Sequence, residues 1–398
     1  MRTRLLLLLI LSVCNATAFE GIDLVEVENS RIIQKASAYL ELAPLTVTAY
    51  PAKRSAGSAH DFYSEGDYWW PDPESPEGPY MRRDGMSNPD NFVDHRRAMV
   101  AFSEITATLT SAYIITGDTR YASVAREHLM AWFVDDATRM SPSLQYGQAI
   151  KGRVTGRSIG IIDTIHLVEV ARSTKILGES GALPLRDYES VKAWFSEYLN
   201  WLTSHPYGVK EQQHPNNHGV CWSMQAAAFA DLIGQTEILE WVRNQFKTVY
   251  LREMMAPDGS FPAELERTKP YGYSLFVLDA MATVAQIAST PEDDLWTYAL
   301  PDGRGLALAM DFIFPYLEDK SLWPYSKDIL YWQEWPVRQP SLLFAGLRFG
   351  RSDYLVLWQR LEADPKAPEV LRNLPVRHPL LFLNIIPLHA DSIEGVDL

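Results

Sequence analysis

Two short stretches of this chain gather residue types that could move a proton beside a carboxylate. The first is Gln212-Gln213-His214-Pro215-Asn216-Asn217-His218-Gly219-Val220-Cys221-Trp222. The second is Arg267-Thr268-Lys269-Pro270-Tyr271-Gly272-Tyr273-Ser274. Asn is a favoured N-cap, so a helix is expected to open near Asn216 or Asn217 and run through Met224 to Leu232. A helix mouth carries unpaired N–H groups and the positive end of the dipole. Amides and an imidazole at such a mouth form a plausible cradle for a carboxylate. Pro270 fits the first turn of a second helix and would gather Arg267, Lys269, Tyr271 and Tyr273 at another mouth.

The chemistry this set suits is β-elimination on a uronate. The proton on the carbon next to a charged carboxylate is only weakly acidic. Asn217, His218 and Arg267 could neutralise that carboxylate and stabilise the dianion that follows. A base must reach C5 and an acid must reach O4. Tyr273, its phenol made more acidic by nearby cations, could do both on one face of the sugar. For the opposite stereochemistry at C5, His218 could be the base and Tyr273 the acid. Lys269 adds positive potential and Tyr271 is a second candidate phenol.

Two further loops carry candidate contacts. His60 to Pro73, followed by Pro76, Gly78, Pro79, Arg82, Arg83 and Gly85, reads as a long loop by its turn chemistry. Tyr68, Trp69 and Trp70 could be sugar platforms there, or the loop could plug one end of a helical barrel. Met140 to Ala149 is a second polar loop, with Arg153, Arg157 and Asp163 after it. Gln145, Gln148, Arg153 and Arg157 could hold a sugar or its carboxylate; alternatively the arginines pair with acids such as Asp163.

The elements that must position these groups are helices. Ser30 to Leu42, Arg97 to Ile115, Thr119 to Phe133, Arg157 to Ala171, Arg186 to Leu202, Asn217 to Leu232 and Thr236 to Met254 carry apolar residues at helical spacing. Ser274 to Ser289, Leu306 to Leu317, Leu342 to Phe349 and Tyr354 to Leu361 do the same. Few stretches alternate as strands do. Successive helical hairpins without a heptad predict an all-α chain, an (α/α) toroid or incomplete α/α barrel. No composition break marks a second domain, so residues 19–398 read as one, with Pro375 to Leu398 as a strap.

Met1 to Ala18 reads as a secretory signal, with Arg2 and Arg4 before the apolar run and Ala16-Thr17-Ala18 at the cleavage site. The expected location is secreted or periplasmic. A lipoprotein anchor at Cys14 is the other possibility, though Val13 fits that motif poorly. The apolar run is too short to span a bilayer. Cys14 leaves with the signal, so Cys221 has no partner for an internal disulfide and reads as a small buried hydrophobe. The net charge is −14. That excludes a typical nucleic-acid binder and would repel a polyanion at long range, so an acidic substrate needs a locally basic cleft.

At this point the chain also resembles a known group. Asn216-Asn217-His218-Gly219, the run from Arg267 to Leu275 and the loop from His60 to Pro71 are similar to the alginate-lyase superfamily of polysaccharide lyases, and within it to polysaccharide lyase family 38. The resemblance covers roughly Tyr50 to Tyr331. It implies an (α/α) toroid and β-elimination of alginate or glucuronan without a cofactor or metal. It also implies that Asn217 and His218 neutralise the carboxylate with help from Arg267, and that Tyr273 transfers the proton. In the related family 5 a His follows the reactive Tyr; here Ser274 does.

Three other functions compete. His214 and His218 are spaced as a helical metal pair, but Pro215 interrupts the turn. An inverting glycoside hydrolase would need two carboxylates flanking the bond, for which Glu65, Asp67 and Glu264 are available. A glycan-binding protein would use the aromatics and not Tyr273.

Overall fold

A computed structural model describes residues 22–383. The segment read as a signal, Cys14 included, and the end of the strap beyond residue 383 lie outside the described residues.

Helices dominate. In order they are α1 (Leu24–Tyr39), α2 (Asp94–Thr116), α3 (Thr119–Phe133), α4 (Leu167–Glu179), α5 (Leu185–Ser204), α6 (Pro206–Gln212), α7 (Asn217–Ile233) and α8 (Thr236–Gln245). A short α9 (Pro262–Leu265), α10 (Pro270–Ala288), α11 (Leu306–Glu318), α12 (Pro340–Phe349), α13 (Ser352–Arg360) and α14 (Pro368–Asn373) follow. The packing partners trace an inner row, α2 to α4 to α7 to α10 to α12. The outer helices α1, α3, α5, α8, α11 and α13 back that row. This is the α/α toroid anticipated from the helical hairpins.

The sequence explains which helices are inner. In α10 every residue except Gln286 and Ile287 is buried, and α7 is nearly as enclosed. Helices apolar on all sides belong in a core. Ala226, Ala227, Ala228 and Ala230 on α7, with Ala280, Ala282 and Ala285 on α10, keep both slender within the ring. By contrast α5 and α13 carry one apolar stripe and lie outside. The helix α2 is long and apolar enough to cross a bilayer, but it is mostly buried inside the ring.

Element ends follow local chemistry. Asp118 caps α3 by accepting from the N–H of Arg120 at 2.9 Å. Asn216 caps α7, and its Oδ1 accepts from the N–H of His218 at 3.1 Å. Gly234 ends α7 in the left-handed region, φ 80°, where a side chain costs most. Several elements differ from the sequence reading: α1 runs Leu24–Tyr39 instead of Ser30 to Leu42, and the helix expected from Thr236 to Met254 is α8 followed by a π-helical stretch, Phe246–Met254. The helix α10 starts at Pro270, in the first turn where the sequence placed that proline and four residues before the apolar spacing that begins at Ser274, because proline at the first helical position has no N–H to lose. The segment read as one helix from Arg157 splits into a tight 3₁₀ stretch, Ser158–Thr164, and α4.

The long aromatic loop is held by two small sheets. β1 (Tyr63–Glu65) pairs in parallel with β4 (Tyr146–Ala149), with Tyr63 opposite Tyr146. β2 (Trp69–Trp70) pairs antiparallel with β3 (Met81–Arg82). These pairings lay the loop across the mouths of α7 and α10. Residues 374–383 run against α2 and α4, where Glu169 Oε1 accepts from the N–H groups of Arg377 and His378 at 2.7 Å each.

Candidate active site

A cavity of about 240 Å³ sits over the N-terminal ends of α7 and α10. Asn217, His218, Arg267 and Tyr273 line it, as do Tyr68 and Trp69 from the loop and Gln148 and Arg157 from the β4 region. Residues more than 200 positions apart in sequence therefore meet on one wall: the Tyr68 and Tyr273 oxygens lie 2.6 Å apart.

The helix mouths are not bare. The N–H of Asn217 goes to Glu264 Oε1 at 2.7 Å, and that of His218 goes to Asn216. At α10, Asp328 accepts from the N–H groups of Tyr271 and Gly272, both at 2.9 Å. The N–H groups expected to stand unpaired at these mouths are thus taken by the protein's own carboxylates and cap. What faces the cavity is side chains. Gly219 lets α7 begin so tightly, because a Cβ there would lie 2.3 Å from the His214 carbonyl oxygen.

Each polar side chain is fixed from behind. Asn217 Nδ2 donates to Glu264 Oε2 at 2.8 Å. His218 Nδ1 is bound to buried Glu211, which leaves the other ring nitrogen for the cavity. Arg267 is held by Asp84 through Nη2 at 3.1 Å, and Thr268 donates to the same carboxylate at 3.0 Å. The Arg267 guanidinium lies 4.5 Å from the centre of the Tyr273 ring, with Nη2 3.5 Å from its oxygen.

Tyr273 corrects a second expectation. Burial, with smaller contributions from Tyr68 and Glu369, pushes its phenol well above the ordinary value. Arg267 and Arg372 pull it back but do not overcome the desolvation. Cations are present, as expected, yet the resting group is a neutral phenol.

The remaining sequence candidates divide. Gln148 lies on the cavity in the left-handed region, φ 49°, a strain that a non-glycine residue carries only where its surroundings impose it. Its amide is committed, donating to Asp163 at 3.1 Å and accepting from Arg157 at 2.8 Å. Arg153 and Arg157 stack on Trp69, 5.3 and 5.9 Å from the ring. They do not pair with Asp163, which takes Arg96 instead. Arg153, Trp70, Gln145, Lys269 and Tyr271 are not on the cavity wall. Trp70 faces Arg83 and donates to the Met86 carbonyl. Tyr271 is fully buried and donates to the Tyr316 carbonyl at 2.9 Å, so of the two phenols only Tyr273 reaches the cavity. Lys269 is buried and ion-paired with Glu369 behind Tyr68 and Tyr273. Cys221 is a buried free thiol.

Sequence reading missed Arg82, His214, Arg372 and Asn373 as lining residues. Arg372 and Asn373 lie about 100 residues beyond Tyr273 on a six-residue helix, and no local pattern signals them. The hydrolase carboxylates are all committed. Glu65 accepts from Tyr63 and the N–H of Phe92. Glu264 is spent on Asn217. Burial opposes ionisation of Asp67, but Arg372 and Arg96 outweigh it and hold the carboxyl far below its usual range. A second cavity of about 1020 Å³ lies beyond this wall, between α1, α2 and residues 363–377. Asp67 and Arg372 line both spaces.

A helical toroid with an amide, an imidazole, an arginine and a tyrosine converging on one cleft defines a class: an enzyme acting on sugar polymers. The family model for alginate lyase matches residues 46–323. An alginate lyase from Bacteroides ovatus superposes with a TM-score of 0.78 at 30% identity, covering 90% of this chain and 93% of that one. Alginate lyase A1-III from Sphingomonas species A1 superposes with a TM-score of 0.53 at 19% identity, covering 83% and 88%. A histidine-to-alanine variant of A1-III complexed with tetrasaccharide gives 0.55 at the same identity and coverage. At that identity the likeness speaks for the fold. No curated protein matches. The chain belongs to the alginate lyase family, and it is a polysaccharide lyase.

Proposed function

We propose that this enzyme cleaves a polyuronate, alginate containing mannuronate, by β-elimination, and that it belongs to family 38. The observation that carries the reading is the convergence of Asn217, His218, Arg267 and Tyr273 on one cavity. The family match and the tetrasaccharide held by a neighbour of the same fold support an acidic sugar chain as substrate. Ser274 after Tyr273 supports family 38 over family 5.

In this mechanism Asn217 Nδ2, His218 and Arg267 surround the uronate carboxylate. They offset its charge so that the C5 proton becomes acidic. Tyr273 removes that proton and returns it to O4 as the C4–O4 bond breaks. The electron pair of the C5–H bond becomes the C4–C5 double bond, and no proton is consumed. Burial keeps the Tyr273 phenol neutral at rest, so that proton must first leave to solvent; the phenolate, which Arg267 against its ring stabilises, then abstracts from C5, and the phenol it becomes donates to O4 and is phenolate again. A polymer with inverted C5 would place that proton on the other face, where His218, oriented by Glu211, is the base. Glucuronan has the same C5 arrangement as polymannuronate and is the second substrate reading. Secretion through the N-terminal leader fits a polymer too large to enter a cell.

The test is ultraviolet absorbance over time on polymannuronate, polyguluronate and glucuronan with no added metal. Elimination leaves a double bond conjugated to the carboxylate, and hydrolysis does not. A rise on polymannuronate is expected, and it should vanish in Tyr273→Phe. New reducing ends without a rise would replace the lyase reading with a hydrolase.

A further inference from the structure

We propose that Arg372 is a positioning residue for proton transfer, acting on Tyr273 through Tyr68. The proposal rests on Tyr273 being the proton-transfer group. Arg372 lies on α14, outside the residues matched by the family model.

The geometry separates this role from simple substrate binding. Arg372 Nη1 lies 2.6 Å from Asp67 Oδ2, and Nη2 lies 3.0 Å from Glu369 Oε2. A guanidinium engaged by two carboxylates has little left for a third. Nε donates to Asn373 Oδ1 at 3.3 Å, and Nη2 donates to a phenol, Tyr68 Oη, at 3.1 Å. Arginine has only donors, so the Tyr68 oxygen is the acceptor there. When Tyr273 is the phenolate its oxygen can only accept, so the Tyr68 proton is then directed at it, 2.6 Å away. A hydrogen bond polarised by a cation upstream is strengthened. Its beneficiary is Tyr273 when that oxygen carries negative charge.

The scaffold keeps Arg372 from turning away. Asp67 is also gripped by Arg96 at 2.6 and 2.8 Å, and Glu369 is shared with Lys269. Lys269 in turn stands 5.0 Å from the Tyr68 ring and 5.7 Å from that of Tyr273. Through the catalytic cycle Tyr68 keeps its proton and Arg372 its charge. Only Tyr273 exchanges a proton, first with C5 and then with O4.

The experiment compares kcat and KM for the wild type, Arg372→Lys, Tyr68→Phe and the double variant on polymannuronate and glucuronan, with circular dichroism to verify folding. Arg372→Lys keeps the charge against Asp67 but cannot span both Asp67 and Tyr68. Each single variant is expected to lower kcat about ten- to a hundredfold with little change in KM. The double variant should be no slower than Tyr68→Phe alone, because both act on one contact. A purely structural arginine would instead give additive losses, and that result, or wild-type kcat in Arg372→Lys, overturns the proposal. Tyr68→Phe removes one oxygen and no charge, so unchanged kcat in that variant overturns it even where the arginine variant does not fold. A wild type without elimination on either polymer overturns the proposal together with the function it rests on; an active wild type insensitive to these changes overturns this proposal alone.

Discussion

Glu264 holds both nitrogens of Asn217, the backbone N–H at 2.7 Å and the side-chain amide at 2.8 Å. One carboxylate thus sets the start of α7 and the direction in which Asn217 presents its second amide hydrogen. Glutamine at 264 offers one acceptor where two are needed. Glu264→Gln is expected to tilt Asn217 and lower kcat/KM by about a hundredfold, the cost of roughly an ångström of misplacement. Initial rates on the cleaved polymer decide it; wild-type kcat/KM would show that the orientation of Asn217 does not matter.

Arg267 stands beside both the expected carboxylate position and the Tyr273 oxygen. Removing a preorganised donor to developing charge typically costs about 3–4 kcal/mol. Arg267→Ala is therefore expected to reduce kcat/KM by about a hundred- to a thousandfold. Asp84→Asn, which loosens Arg267 without removing it, should cost less. Equal losses in the two variants would mean that Asp84 has its own part in the reaction.

His218 offers the cavity only the nitrogen that Glu211 leaves free. Which nitrogen of a histidine carries the proton is set by the partner of the other one. Glu211→Gln alters that partner and should lower kcat at least about tenfold, by analogy with other histidines stripped of their orienting carboxylate. The loss should be largest on polyguluronate, if that polymer is cleaved at all. Unchanged kcat in Glu211→Gln on every polymer would remove the orienting role.

Stability should depend on pH through Asp279. This α10 carboxyl is buried and accepts from the N–H and hydroxyl of Ser341 at 3.1 and 2.6 Å, capping α12. Burial pushes its pKa up to about 7 from an ordinary 3.8. The folded chain therefore holds a proton that the unfolded chain releases, and the fold loses stability as pH rises from about 4 through 7. The difference corresponds to at most about 4 kcal/mol. Asp279→Asn keeps an acceptor and never charges. Its Tm should exceed that of the wild type at pH 8 and approach it at pH 4. A wild-type Tm equal to that of the variant at pH 8 would contradict the ionisation of Asp279.

Local chemistry carried far in the chain itself. Asn216 as a cap, Pro270 at a first turn and Gly234 at a helix end are local signals, and each marks an element close to where it lies. All-round apolar segments such as Leu275 to Ala285 identify inner helices for the same reason, since burial on every side leaves no polar stripe. These signals sufficed for an (α/α) toroid and for setting Asn217, His218, Arg267 and Tyr273 at two helix starts, and the four line one cavity. Tertiary structure decided what surrounds them. It gave the helix-mouth N–H groups to Glu264 and Asp328, buried Tyr271, and raised the Tyr273 phenol by desolvation where charge counting alone suggested the opposite. It also brought Arg372 from the far end of the chain to Tyr68. Burial and cross-chain contacts depend on how the ring closes, and no spacing along the sequence encodes that distance.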